Sequence, residues 1–449
     1  MLRTKDQVLS LLEDSLSRSK GDETELVYVE NRDATSRFAE NTIHQNLESS
    51  DARVVVRLVK DGRVAVSSTN DLRPAGIDAA MNDAIQIGSF LEPDESFPGL
   101  ISSPAAQNVP SFFRTTDESS PLDRAGAVGK IAAAAKSQNV QIAGLFQTET
   151  QAIAVVNSRG TRQWHTETRA EFSVSASDDP TQGQGWAIGA TRDLSKLDAV
   201  SIGAIAIDKA VRSRNPEAIP AGDYTVILEP AAVGQMLLFL GFLAFSGKSF
   251  AQGRGVLSGK IGQKVTGDNI TITEDPFLPG YPGMPFDYEG VPKQKVTLIE
   301  KGMASGVVHD TRTAKTAGTT STGHALPADN ARGPYPKNLV MLPGEAALTE
   351  MLASTPKGIL ITHFWYLNYL NPMKAQLTGS TRDGTFLIED GRVTKPIANL
   401  RATPAVLEVL SRVEMIGRER TFYPQYSAMM YVPALKISAF PFVADTESE

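Results

Sequence analysis

The chain has no cysteine. That absence removes disulfides, Cys-ligated zinc, iron–sulfur clusters and thiol nucleophiles together, and leaves the compartment open. Histidine is scarce as well: His44, His165, His309, His324 and His363, with no two closer than fifteen residues. A helical zinc motif places two ligands on one face at i and i+4, so no such motif is present. There is no Gly-x-Ser-x-Gly elbow, the common sequence sign of an α/β serine hydrolase. Positive charge is not in excess: 44 Lys and Arg against 51 Asp and Glu give a net charge of −7. That balance argues against nucleic acid and anionic membrane surfaces as partners. The longest uncharged apolar stretch, 231–245, covers fifteen residues and contains Gly234 and Gly241. A membrane span needs roughly 20, so this reads as a buried core helix. Near the start, Val8, Leu9, Leu11, Leu12 and Leu16 fall at helical spacing with charges between them. This is an amphipathic helix rather than a signal peptide, and the expected location is the cytoplasm.

What is there is an ordinary globular composition, 41% hydrophobic and 21% charged over 449 residues. A single core rarely grows past roughly 250–300 residues, so two domains are expected. The Pro/Gly-rich stretch 215–222 (NPEAIPAG) follows a helical pattern and places the boundary, giving an N-terminal α+β domain over 1–218 and a β-rich domain over 219–449. In the first, a strand is expected at 26–30 and a hairpin over 53–68 turning at Asp61-Gly62. Ala-rich helices are expected over 74–91 and 122–138, with a loop at 104–121 between them. Strands follow over 140–190 with a turn at 158–160, then a helix over 198–214. In the second, short strands are expected, with hairpin turns at Asp383-Gly384 and Asp390-Gly391. The chain closes on a short acidic end, ADTESE. The class is α+β, with mostly antiparallel sheets and packed helices, because the turns are hairpin-like rather than βαβ crossovers.

Few motifs carry chemistry. GFLAFSGKS at 241–249 approaches a phosphate loop, but five residues separate Gly241 from Gly247 where four are needed. The Gly-x-Gly pairs at 183–185 and 253–255 each have their next Gly one position late and read as turns. Asp287 and Glu289 in FDYEGVP read as a solvated turn, with a paired-carboxylate site as the sharper alternative. His324 lies in STGHA, where Thr322, Gly323 and His324 are candidates for contact with a substrate or partner. His363 falls in an apolar strand-like run and reads as a packed or partner-facing histidine. The small polar segment 378–384 could offer backbone groups to an extended peptide, which makes Gly379, Ser380 and Thr381 candidates too.

Taken in order, RFAENTIHQN, RVVVRLVKDGRVAVSSTNDL, GDYTVILEPAAVGQMLL, VLSGKIGQKV, FDYEGVPKQKVTLIEKG, STGHA, ITHFWYLNYLNP and LTGSTRDGTFLIEDGRVTKPI resemble the TldD/PmbA (TldD/TldE, gyrase modulator) family over nearly the full length. In that family TldD-type members are metallopeptidases with an HExxxH helix and a distant Cys ligand. PmbA/TldE-type members lack the ligands and pair with a TldD-type subunit. Laid on the metal-bearing helix by its flanks, this chain puts Leu238, Phe239 and Leu243 at the metal positions, and it has no Cys. The resemblance therefore implies a non-catalytic TldE-like subunit with no catalytic or metal-ligating residue and no cofactor of its own. Zinc is expected in the TldD-like partner, and an extended, unstructured peptide is the expected substrate of the complex. Two alternatives stay open: a stand-alone, homodimeric peptide-binding protein, and an independent enzyme using His324 and Asp287.

Overall fold

The computed structural model describes residues 2–443; the acidic end lies outside the described residues. Two sheets organise the chain. The first has six strands in the order β3-β2-β1-β4-β5-β6. These are β1 (Glu23–Ala39), β2 (Thr42–Lys60), β3 (Arg63–Thr69), β4 (Gln141–Asn157), β5 (Arg162–Asp178) and β6 (Gly183–Thr191), all antiparallel. The β2–β3 turn is Asp61-Gly62, with φ of 49° and 73°. Positive φ at both central residues suits the right-handed twist of the flanking strands, and Asp-Gly meets it at little cost.

Four main helices support this sheet: α1 (Lys5–Ser17), α2 (Pro74–Gly88), α4 (Pro121–Ser137) and α5 (Ala199–Arg212), with a short α3 (Arg114–Asp117) inside the expected loop. A full capping box at Thr4 starts α1, and another at Ser120 starts α4. Along β1, Leu26 and Tyr28 point into a core with α1 and α2, while Val27 and Val29 point to the opposite face. That opposite face meets Met284 and Phe286, which belong to the C-terminal half. Covering on both faces explains why residues 26–29 of β1 and 54–56 of β2 are continuous apolar runs rather than alternating ones.

The second sheet has eleven strands: β7 (Gly222–Leu228), β8 (Ile272–Glu274), β9 (Val296–Glu300), β10 (Met303–Ala304), β11 (Asn338–Met341), β12 (Lys357–Asn371), β13 (Gln376–Glu389), β14 (Arg392–Pro396), β15 (Arg401–Ala402), β16 (Val413–Gln425) and β17 (Ala428–Val443). Its path runs β10-β9-β8-β11-β17-β15-β13-β12-β7, and β7 returns to pair with β17. Strands β17, β15, β13, β12 and β7 thereby close a ring. The apolar helix α6 (Pro230–Leu243) packs against β17, β12 and β16. It is buried along most of its length, as its all-round apolar sequence requires.

The α+β class with largely antiparallel sheets is as expected. Several local expectations change. Strands β12, β13, β16 and β17 run 15, 14, 13 and 16 residues, longer than expected, whereas β8, β9, β10, β11, β14 and β15 are short, as expected. Asp390-Gly391 does turn a hairpin, between β13 and β14. Asp383-Gly384 does not: it is a distortion inside β13, with φ of 56° and 118°. Asp-Gly permits positive φ wherever the chain needs it, and only the partner strand reveals that here it re-aims a strand instead of ending it.

Candidate functional site

A cleft of about 890 Å³ opens between α6, β12 and the β16–β17 turn. Its wall is rich in aromatics, among them Trp186, Phe239, Tyr335, Trp365, Tyr369 and Tyr423. Two glycines let α6 sit this close to them. A Cβ at Gly234 would lie 2.6 Å from the Tyr423 ring, and one at Gly241 would lie 2.8 Å from the Tyr335 hydroxyl. Tyr335 Oη donates to the carbonyl of Leu238 at 3.3 Å. Burial pushes the Tyr335 and Tyr423 hydroxyls above the usual phenol range, so both remain neutral donors.

One edge of the cleft is unusual. Strand β12 pairs with β7 only through Ile359, Leu360 and Ile361. Beyond that point no strand pairs with its outer edge among the described residues. At Phe364 the side chain of Gln235 from α6 takes the place of a strand. Its Oε1 accepts from the Phe364 N–H at 2.8 Å, and its Nε2 donates to the Phe364 carbonyl at 2.9 Å. The following residues line the cleft, and Trp365 and Tyr366 are 53% and 80% exposed. At the inner end, His363 stacks on Trp186 with ring centroids 4.4 Å apart and bonds Asp383 Oδ2 through Nε2 at 2.7 Å. His363 is thus packed, as expected.

The expected metal positions lie on α6. Leu238 and Phe239 line the cleft; Leu243 sits one turn on, half-buried, away from it. None carries a donor atom, so these residues do not fit a zinc ion. Among the described residues no group of three or more His, Asp or Glu is placed to hold a metal.

Gly379, Ser380 and Thr381 are in strand β13, not in a turn. Ser380 is opposite Trp365 on one side and Arg401 on the other, and Gly379 is opposite Ala402. Their backbone is flanked by strands on both sides, so this segment offers no free edge. The free edge belongs to the neighbouring strand, a shift of one strand that only pairing could reveal. The overlooked signal was ITHFWYLNYLN itself: exposed aromatics continuing past the apolar run mark a strand that leaves the core.

Thr322, Gly323 and His324 do not line the cleft, although the His324 carbonyl accepts from the N–H of Tyr335 in its wall at 3.1 Å. His324 is 1% exposed, with Nδ1 2.9 Å from Thr322 Oγ1 and Nε2 3.4 Å from Glu274 Oε1. Burial holds its pKa below the usual imidazole range, against the pull of Glu274. Gly323 is required by its backbone: φ is 75°, and a Cβ there would fall 2.5 Å from the Pro292 carbonyl oxygen.

The expectation of a solvated turn at Asp287 and Glu289 is corrected. Asp287 is fully buried and Glu289 is 7% exposed. Asp287 Oδ1 accepts from the N–H groups of Glu289 and Val291 at 2.9 and 3.0 Å, and Oδ2 accepts from Ala325 N at 2.8 Å. Glu289 Oε1 accepts from Arg57 Nη1 at 3.0 Å. Arg57 comes from β2, far away in sequence, so the counter-charge that permits burial was invisible locally. The same guanidinium lies 3.0 Å from Glu25 Oε1, but the angle leaves that oxygen without a hydrogen bond. Burial pushes the Glu25 carboxyl up to about 7, with Arg57 opposing. Burial, reinforced by the Glu289 charge, also pushes Asp287 up, against its three backbone donors.

The fold defines a class: an α+β protein with a helix-supported sheet joined to a strand ring packed against an apolar helix. Three family models match it in order, described as PmbA/TldA metallopeptidase domain 1 over residues 24–88, central domain over 116–214 and C-terminal domain over 221–443. The chain belongs to the PmbA/TldD metallopeptidase family. TldE from Thermococcus kodakarensis has a similar structure, with a TM-score of 0.88 and 24% identity over 98% of this chain and 99% of that one. Metalloprotease PmbA of Escherichia coli O157:H7 is 22% identical over 92% of this chain and 91% of its own length. A metalloprotease of Methanothermobacter thermautotrophicus is 24% identical over 59% of this chain and 60% of its own. The chain spans about half the length of several other curated metalloprotease relatives it matches. Among the described residues no helix is long and apolar enough to cross a membrane.

Proposed function

We propose that this chain is the metal-free, TldE-like subunit of a TldD/TldE-type peptidase complex in the cytoplasm, and that its aromatic cleft holds an unstructured peptide in extended form. The observation carrying the peptide part is the outer edge of β12, which no strand pairs beyond Ile361 and which Gln235 covers at Phe364, running along a cleft walled by aromatics. A peptide laid on such an edge is gripped by main-chain hydrogen bonds, which do not read side chains. Trp365, Tyr366 and Tyr369 add apolar contact that tolerates many sequences. The partner part is supported by Leu238, Phe239 and Leu243, which replace metal-binding groups with side chains that cannot ligate. In this reading the zinc belongs to a TldD-like HExxxH subunit, and this chain walls the peptide path, keeping out folded proteins.

The test is co-expression with the HExxxH paralogue from the same genome, then peptide cleavage assays on each protein and on the pair. Cleavage by the pair only, abolished by a chelator, is the expected result. Cleavage by this chain alone that survives chelation overturns the proposal. A stand-alone, homodimeric peptide binder is a second reading, supported by the same strand edge and aromatic wall, which offer a peptide its contacts without a metal subunit. It expects peptide binding unchanged by the paralogue and no cleavage by the pair.

A further inference from the structure

Behind the cleft lies a smaller cavity of about 120 Å³ that shares Lys337, Ser427 and Ala428 with it. Its wall carries four cationic side chains, Arg169, Arg192, Lys293 and Lys337, and two carboxyls, Glu149 and Glu167. The arginines already have partners. Arg192 Nη2 donates to Glu167 Oε2 at 3.0 Å, and Arg169 pairs with Glu171. Burial pushes the Glu149 carboxyl up, favouring its neutral form.

The lysines have none: among the described residues neither ammonium forms an ion pair or a hydrogen bond. Lys337 Nζ lies 5.0 Å from the centroid of the Tyr288 ring instead. Lys293 is only 7% exposed. The nearby Glu274 is committed elsewhere, accepting from Asn338 N at 2.7 Å and facing His324. Burial lowers the pKa of both lysines, and the Lys337 charge lowers that of Lys293 further, against the pull of Glu274 and Glu167. Two ammonium groups without an ion-pair partner beside a cavity would be stabilised by an anion that enters it. One water needs roughly 10–15 Å³ of such space, so the cavity has room for a carboxylate.

We propose that this cavity receives a carboxylate of the peptide in the cleft, its α-carboxylate or an Asp or Glu side chain, held by Lys293 and Lys337. The inference rests on the peptide reading of the cleft. It converts a grip without side-chain preference into one that is sensitive to a single acidic group.

The experiment compares three versions of one labelled, unstructured peptide by fluorescence anisotropy: a free acid without acidic side chains, its C-terminal amide, and the amide with one Glu. The wild type is measured beside Lys293→Met and Lys337→Met. N-acetylglycine and N-acetylglycinamide are compared in parallel by thermal shift. The expected result is binding about tenfold or more tighter for one acidic peptide than for the plain amide, with the advantage lost in both variants. Which acidic peptide gains identifies the source of the carboxylate. Three peptides bound alike overturn the carboxylate site and leave the cleft reading intact. If no peptide binds, the cleft reading fails; a lysine-dependent response to N-acetylglycine alone then keeps the site, and equal responses to the two small probes overturn it as well.

Discussion

At the scale of single residues, the deciding groups are buried and hold their neighbours. Gly323 has φ of 75° and backbone of Pro292 and Lys293 against its missing Cβ. Gly323→Ala is expected to cost roughly 2–4 kcal/mol in urea unfolding, because left-handed strain and a backbone clash add. A wild-type midpoint for that variant would contradict the close approach. Glu25 gives a pH prediction. Its pKa is raised from 4.5 unfolded to about 7 folded, so the folded state binds more protons between those values. Its contribution to stability is then full below about pH 4.5 and is lost as pH rises through about 7. Between pH 5 and 8 the wild type should lose about 1–3 kcal/mol relative to Glu25→Gln. A stability difference independent of pH would mean that Glu25 is not held as described. The type of these residues could be read from the sequence, but not their state: FDYEGVP has the composition of a surface turn, and burial came from Arg57.

At the scale of elements, α6 and β12 make the site together. The charge-free α6 was legible as a buried helix, since an apolar run of that length has no solvent face. The strand role of Gln235 was not, because one polar residue in an apolar helix gives no clue to its partner. Gln235→Ala is expected to destabilise the protein by about 1–3 kcal/mol, since it strands the Phe364 amide and carbonyl. Peptide affinity should fall with it if the Phe364 edge is disordered. The tip aromatics should behave oppositely. Tyr366 and Tyr426 are 80% and 79% exposed, so Tyr366→Ala with Tyr426→Ala should leave the unfolding free energy within about 0.5 kcal/mol. Peptide binding, read by anisotropy, should nevertheless weaken several-fold. Unchanged binding would move the peptide away from this rim.

At the scale of the whole molecule, the two sheets are joined by a buried charge cluster and an apolar seam. Arg57 of the first sheet lies between Glu25, on its own sheet, and Glu289 from the C-terminal half. Met284 and Phe286 pack on Val27, Val55 and Ile153 beside it. Removing the arginine leaves Glu289 buried without its counter-charge and drives Glu25 further toward its neutral form. Arg57→Ala should therefore cost about 3–5 kcal/mol and separate the calorimetric unfolding of the halves. A single transition at the wild-type temperature would show that the apolar seam alone couples them. Trp186, stacked on His363 and edge-on to Tyr423, joins the sheets at the cleft itself. Loosening the seam should thus reach the peptide site.

By itself the sequence determined what local chemistry controls. Apolar periodicity and capping residues set the helices near their observed ends, and Asp61-Gly62 and Asp390-Gly391 set two hairpins because few residues accept positive φ. The absence of Cys and the leucines and phenylalanine on α6 removed donor atoms that no folding can restore. Tertiary structure decided the rest, where the relevant partner is distant along the chain. It paired Gly379–Thr381 on both sides and left β12 with the open edge, and it turned Asp383-Gly384 from a turn into a kink. It also buried Asp287 and Glu289 against Arg57 and set Lys293 beside Lys337 on the wall of one small cavity. Hydrogen-bond pairing and burial are properties of neighbours in space, and the order of residues along a chain does not state who those neighbours are.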